Sequence, residues 1–474
     1  MKNKQTLQIN KFENFASFYN YFPTTKLLNS MGVAEAKFPY DNEDLTENEL
    51  NIPALNLERV DGVAYFKQFY AKSGNTQHRL LVYGSDKKVY INQLFNQDSE
   101  LYWLYNLSFD TAPITLAFKK DDLDAIILAS KTEMKIWKTG YSPYTISNVP
   151  IITSMCMNEG VLFCTISEPA FKIWYATDLD AENIGNINST SGYISLEDDL
   201  GYARKIITFD QDVYVFRDYG ISKINYVKKD VSVSQIYASN TKIYTNTVCS
   251  CGNSIMFMTA DGIYTFNGVK VSKTSVNINN LLTNQNDTAV ASSLKDKYFL
   301  ALRLDFKDEK QILCEKQECV NNAIVVINTT DYSYQIIRGV DVKSLVPVKT
   351  ELFEKMLLTF NTENNSKLGE IVEISECFNK PLPKYWISGN LTKNYTPKTF
   401  TKLTVKADKG VKFSLMFDNN VISFTTYKSG LNEFCFKIYA KEMQISISAE
   451  TSSAVVEDVL MDYYENWLLN DQKI

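Results

Sequence analysis

Any nucleophilic or metal chemistry in this chain has to be built around very few residues. Its single histidine, His78, lies in the polar stretch Ser73–Arg79 beside a β-rich run. A Ser-His-Asp triad or a His-based metal site would need it, yet neither G-x-S-x-G nor H-E-x-x-H occurs. His78 therefore reads as a solvated loop histidine. The eight cysteines are Cys156, Cys164, Cys249, Cys251, Cys314, Cys319, Cys377 and Cys435. Cys249 and Cys251 stand two apart in a β-rich run, where alternation puts both thiols on one face. Cys314 and Cys319 share a charged loop, where oxidation to a disulfide outside the cell is conceivable. Neither pair has a partner pair or a histidine at zinc spacing. With no apolar signal segment at the start, the thiols read as reduced and mostly buried.

Carboxylates cluster at Asp121-Asp122-Leu123-Asp124, Asp178-Leu179-Asp180 and Glu197-Asp198-Asp199. Oxygen ligands at alternate positions can hold Ca²⁺, but none of the three matches the D-x-[DN]-x-[DN]-G loop. They read as solvated loop charge. A glycosidase needs two carboxylates held at a set separation, which spacing along a chain cannot supply. Arg204, Arg217 and Arg338 are too few to argue an arginine cluster for sialic acid, and no S-x-D-x-G-x-T-W box is present. No glycine-rich phosphate loop occurs. No catalytic, cofactor-binding or metal residue is assigned, and no cofactor is expected.

The elements around these residues are far more legible. Cys249–Gly268, CSCGNSIMFMTADGIYTFNG, reads as a strand over Ser254–Thr259, a turn on Ala260-Asp261-Gly262 and a second strand over Ile263–Phe266. Asp-Gly between two β-rich runs is a strong hairpin signal, since glycine takes positive φ at no steric cost. The pattern recurs. Second strands of successive units begin near Leu80, Ala125, Val161, Val213, Ile255, Tyr298 and Met356, about 46 residues apart and close to the ~40–50 of propeller blades. Each unit divides into about four short strands. Polar insertions lengthen two units, at Thr177–Gly192 and Asp305–Asn322. The seventh unit is one strand short, and the N-terminal run Thr6–Lys11 is a candidate to complete it. Such hairpins bury their faces only when stacked around a ring.

The expected fold is all-β: a propeller of about seven degenerate blades over residues 61–378, with an extended arm over 1–60. That arm would lie along other parts of the chain or along another subunit. After the Pro-rich joint Lys380–Lys384, residues 379–474 read as an antiparallel β-sandwich with a short terminal helix, its strands spaced at ~8–12 residues.

Composition narrows the function classes. Forty-nine basic against 55 acidic residues leave a net charge of −6, with both signs interspersed. A face that grips phosphates needs clustered Lys and Arg, so a nucleic-acid binder of that kind is disfavoured. The 29 Tyr and 27 Phe favour β-structure, where flat rings fit pleated surfaces. No run approaches the roughly 18 apolar residues of a membrane helix, so no membrane-spanning segment is expected.

Two phrases, ARKIITFDQDVYVFRDYGISKI and SCGNSIMFMTADGIYTFNG, resemble the blades of tailed-phage virion propellers. The arm with its Glu13-Asn14-Phe15 phrase, the ring of degenerate blades and the C-terminal sandwich are similar in plan to the packaged-DNA-stabilisation and tail hub or nozzle proteins of short-tailed phages. The resemblance rests on plan and phrasing rather than on a diagnostic motif, and it carries over no site residues. It implies a structural virion protein of the neck or tail, made in the host cytoplasm and not an enzyme. Several copies would form a homo-oligomeric ring beside the portal, adaptor or other tail proteins. An acidic lumen would repel phosphates, so DNA would pass without specific binding during ejection. One alternative is a propeller and sandwich recognising glycan or receptor; another is a glycosidase-like propeller hydrolase.

Overall fold

Among the described residues of the computed structural model the named elements are strands, apart from one 3-10 turn at Asn279–Leu281. The structure describes residues 4–9, 31–33, 60–70, 73–93, 102–120, 122–179, 190–196, 198–227, 230–276, 278–283, 286–305, 320–332, 334–338, 341–351, 354–361, 366–370, 384–387, 391–392, 397–449 and 456–465. No helix among them is long and apolar enough to cross a membrane.

Seven sheets follow one another between residues 60 and 370, each with a body of consecutive antiparallel strands. Blades 1 to 5 have four strands apiece, spanning residues 60–108, 114–147, 152–195, 203–238 and 243–273. Blade 6 (290–338) gains a fifth strand, Met31–Val33, which runs parallel to Tyr334–Arg338. Blade 7 shows three among the described residues: Asp341–Lys349, Glu354–Asn361 and Ser366–Glu370. The first strands of blades 2 to 7 neighbour one another in turn, and that of blade 7 meets that of blade 1. First strands are therefore innermost and the ring is closed. This is a β-propeller.

The physical reason for its rhythm lies in the second strands. A strand between two neighbouring blades has both faces covered, so it reads as a continuous apolar run rather than an alternation. Val161–Ile166 (VLFCTI) is buried at all six positions, and Ala125–Ser130 likewise. Successive blades share apolar cores: Trp174 and Ile136 between blades 2 and 3, Phe257 and Phe216 between blades 4 and 5. Tight turns sit where glycine and aspartate place them. Arg217 pairs with Gly220 around Asp218-Tyr219, and Thr259 pairs with Gly262 around Ala260-Asp261.

The C-terminal sandwich stacks two four-stranded sheets. One is ordered Lys4–Ile9, Val456–Glu465, Lys398–Ala407, Gly430–Ala440; the other is Lys384–Ile387, Met443–Ala449, Lys412–Phe417, Asn420–Thr425. A contiguous buried cluster runs from Met256 and Tyr298 of blades 5 and 6 to Phe413 and Ile445 of the sandwich.

The expectation for the N-terminal strand is overturned. The N-terminal strand spans Lys4–Ile9 and does not complete blade 7. It pairs antiparallel with Val456–Glu465, where Lys4 Nζ lies 2.6 Å from Asp462 and the Thr6 hydroxyl donates to the same carboxylate at 2.7 Å. The buried side of that strand also offers Leu7 to the sandwich core. The expected terminal helix falls on residues outside those described; up to Glu465 the chain is strand.

Candidate functional site

His78 is not a solvated loop residue. It lies in the strand Asn75–Gly84 with 3% of its surface exposed. Its Nδ1 is 2.5 Å from the Tyr65 hydroxyl and its Nε2 is 2.6 Å from Glu351, which belongs to the turn after the first strand of blade 7. Nothing near His78 in sequence signals this, because Glu351 is far along the chain and reaches His78 only when the ring closes. Lys67 adds a 2.9 Å ion pair to Glu351, and Lys343 pairs with Asp61 at 2.8 Å across the same junction. These partners hold the Glu351 carboxyl down at about 2, the Lys67 contact contributing most and His78 adding to it.

Carboxylate, imidazole and phenol in a row have the outline of a relay that activates a nucleophile. The phenol is in the wrong state for it. Tyr65 donates its proton to the main-chain carbonyl of Lys349 at 2.5 Å, and burial pushes its ionisation up. The arrangement ties blade 7 to blade 1.

The other sequence candidates are also in structural use. Cys249 and Cys251 share one face as expected, with sulfurs 3.6 Å apart, but burial raises the Cys249 thiol well above its ordinary value. Burial likewise pushes Cys156 up to about 12, which disfavours the thiolate at both Cys156 and Cys249. Cys314, Cys319 and Cys377 fall outside the described residues. Of the carboxylate clusters, Asp124 accepts from the Phe69 amide of blade 1 at 2.8 Å and Asp198 pairs with Arg217; Asp121, Asp180 and Glu197 lie outside the described residues. Among the described residues no group of three His, Cys, Asp or Glu is placed to hold a metal ion.

The three arginines do not converge. Arg338 is on the strand Tyr334–Arg338 of blade 6, whereas Arg204 and Arg217 are on blade 4. Arg217 is 1% exposed and donates to the Gly201 carbonyl (2.7 Å from Nη2) and to Asp198. It thereby fastens the connection between blades 3 and 4, residues 196–202, onto blade 4.

That connection belongs to a face the sequence did not reveal. With first strands innermost, the turns between second and third strands and the links to the next blade lie at the same end of the ring. On blades 3 and 4 this end carries exposed rings: Phe171 (43%), Tyr202 (51%) and Tyr219 (44%), with Tyr193 (55%) on the adjoining outer strand. Main-chain bonds pin them. Leu196 N donates to Phe171 O at 2.9 Å, Tyr219 N to Leu200 O at 2.9 Å, and Ala203 N to Ala170 O at 2.8 Å. Asp218 accepts from the Tyr202 amide at 2.9 Å and from Arg204 Nε at 3.0 Å. The Arg204 guanidinium lies 5.1 Å from the Tyr202 ring, and Lys172 Nζ lies 5.9 Å from both the Phe171 and Tyr193 rings. Gly201 allows this closeness: its φ is +83°, and a Cβ there would lie 2.8 Å from Cβ of Asp218.

The same end of blades 1 and 2 holds a cleft of about 590 Å³ lined by Lys87, Asp110, Lys131, Glu133 and Lys135 among others. Its charges face one another: Asp110 pairs with Lys131 at 2.6 Å and with Lys87 at 3.7 Å.

No protein family matches this chain, and no curated protein is similar to it. Among solved structures, the AfRom2 CNH domain is similar over 68% of this chain and 99% of its own length, at 9% identity and a TM-score of 0.40. Hsv2 of Kluyveromyces lactis is similar over 55% of this chain and 81% of its own, at 9% identity and a TM-score of 0.34. At that level of similarity neither carries a residue or a role across.

Proposed function

We propose that the chain is a non-catalytic assembly protein and, following the resemblance of its blades and plan, a neck or tail component of a tailed-phage virion. Several copies would form a ring that helps retain or conduct packaged DNA beside portal, adaptor or tail partners. The observation that carries this reading is the N-terminal stretch, which contributes one strand to the sandwich and another to blade 6. Segments that work by adding strands to sheet edges bind through main-chain bonds, and those bonds form as well between chains as within one. The placement of His78, Glu351 and Arg217 supports the non-catalytic part, since each is engaged in fastening blades or their connections.

The test is the mass of the purified protein in solution, with its sedimentation alongside the particle fraction of its source. A defined multimer that travels with particles is the expected result. A monomer that never enters particles overturns the reading. A second reading, recognition of a glycan by the propeller, is favoured by the exposed rings on blades 3 and 4.

A further inference from the structure

We propose that the face formed by Phe171, Tyr193, Tyr202 and Tyr219 binds an uncharged saccharide chain, with Lys172 and Arg204 as its hydrogen-bonding groups and Asp218 holding Arg204 in place. The proposal rests on the second reading above and is independent of the assembly role.

Ring exposure is the first observation. Four large rings within two adjacent blades are between 43% and 55% exposed, although a propeller has ample interior in which to bury aromatics. A flat ring open to water can take the C–H face of a pyranose, which is an apolar patch of matching size on an otherwise polar molecule.

The second observation is charge balance. Cations and carboxylates alternate among the rings: Lys172 between Phe171 and Tyr193, Arg204 against Tyr202, Asp218 beneath both Tyr202 and Arg204, with Asp198 and Asp199 on the same connection. A polyanion would meet those aspartates. The buried centre of a protein interface is depleted in charged groups, whereas here they are interleaved with the rings. Sugar hydroxyls both donate and accept, so they suit a surface offering both signs. Arg204 spends Nε on Asp218, leaving its terminal nitrogens without an acceptor among the described residues. Lys172 likewise has ring contacts and no carboxylate partner among them.

The third observation is preorganisation. Each ring-bearing turn is tied to its neighbour by main-chain bonds of 2.8–2.9 Å, and Arg217 clamps the link that carries Tyr202. Little ordering would be needed on binding, which favours affinity at a shallow surface.

The experiment uses the full chain against a panel of neutral polysaccharides (glucan, mannan, xylan, galactan), with polygalacturonate and poly-glutamate as charged comparisons, followed by titration of oligomers. The expected result is binding of at least one neutral polymer, little changed by added salt. Tyr202→Ala and Tyr219→Ala should each weaken it roughly three- to tenfold, and Lys172→Gln should weaken it further. All three side chains lie at the surface, and an unchanged melting curve checks that each variant folds. Binding to the polyanions alone, binding indifferent to loss of the rings, or no binding to any neutral polymer overturns the proposal. Protection of Tyr202 and Tyr219 by a protein partner, with no neutral polymer bound, also overturns it. Sedimentation with particles should be the same for wild type and variants, so failure here leaves the assembly reading standing, and the reverse.

Discussion

Glu351 shows how a single side chain can serve the closure of a ring. Its carboxyl ordinarily titrates near 4.5 and is held at about 2 by Lys67, by a main-chain bond and by His78. A group whose folded value is depressed contributes stability that is complete above its unfolded value and is lost as pH falls towards the folded one. The junction between blades 7 and 1 should therefore weaken between pH 4.5 and about 2. Glu351→Gln keeps one of the two acceptor oxygens that Lys67 and His78 contact and removes the titration. Melting temperature measured across that window should fall less steeply in the variant than in wild type; parallel curves would mean that the junction contributes nothing to acid stability. Because Glu351 is itself exposed to solvent, the difference will be modest. None of this was legible at His78, whose neighbours in sequence are polar and look like a loop. Tyr219 was legible as part of a turn, Asp218-Tyr219-Gly220, but nothing local says that its ring stays in water.

Among elements, the blades were readable for a definite reason. Leu80, Ala125, Val161, Val213, Ile255, Tyr298 and Met356 each fall within the second strand of a blade, because a strand covered on both faces must be apolar throughout. The inter-blade cores make the same elements energetically dominant. Phe257 is fully buried, its ring 5.3 Å from Phe216 of blade 4 and 5.8 Å from Tyr264 of its own blade. Phe257→Ala removes both contacts and leaves a cavity between two blades that cannot collapse independently, at a cost of about 3–5 kcal/mol. Denaturant titration should show the midpoint move accordingly with the slope unchanged; a shift corresponding to less than about 1 kcal/mol would mean that the blades repack freely. The strand near the N-terminus was harder. Thr6–Lys11 reads as a strand, but the period of a strand says nothing about which edge it joins. Asp462 decides that, by taking both Lys4 and Thr6.

At the scale of the whole molecule, a strand from the N-terminal part of the chain meets one from the C-terminal part in the sandwich. Lys4–Ile9 lies outermost in its sheet against Val456–Glu465, and Leu7 touches a core that continues to Tyr298 of blade 6. Loss of this strand would turn Val456–Glu465 from a covered strand into an edge, exposing a row of main-chain groups to water or to another chain. A chain lacking residues 1–9 should therefore show faster amide exchange in Val456–Glu465 and then in Lys398–Ala407, which pairs with its other side. Blade 3 lies away from that shared core, so Val161–Ile166 should exchange as in the intact protein. A peptide of residues 1–12 supplied in solution should restore protection, since pairing of an edge strand does not require covalent continuity. If exchange instead rose equally in blade 3 and the sandwich, the N-terminal strand would be stabilising the entire molecule as one unit. Restoration by the peptide would also show that this edge accepts the strand from a separate chain, the capacity on which a ring laced together by its N-terminal segments depends.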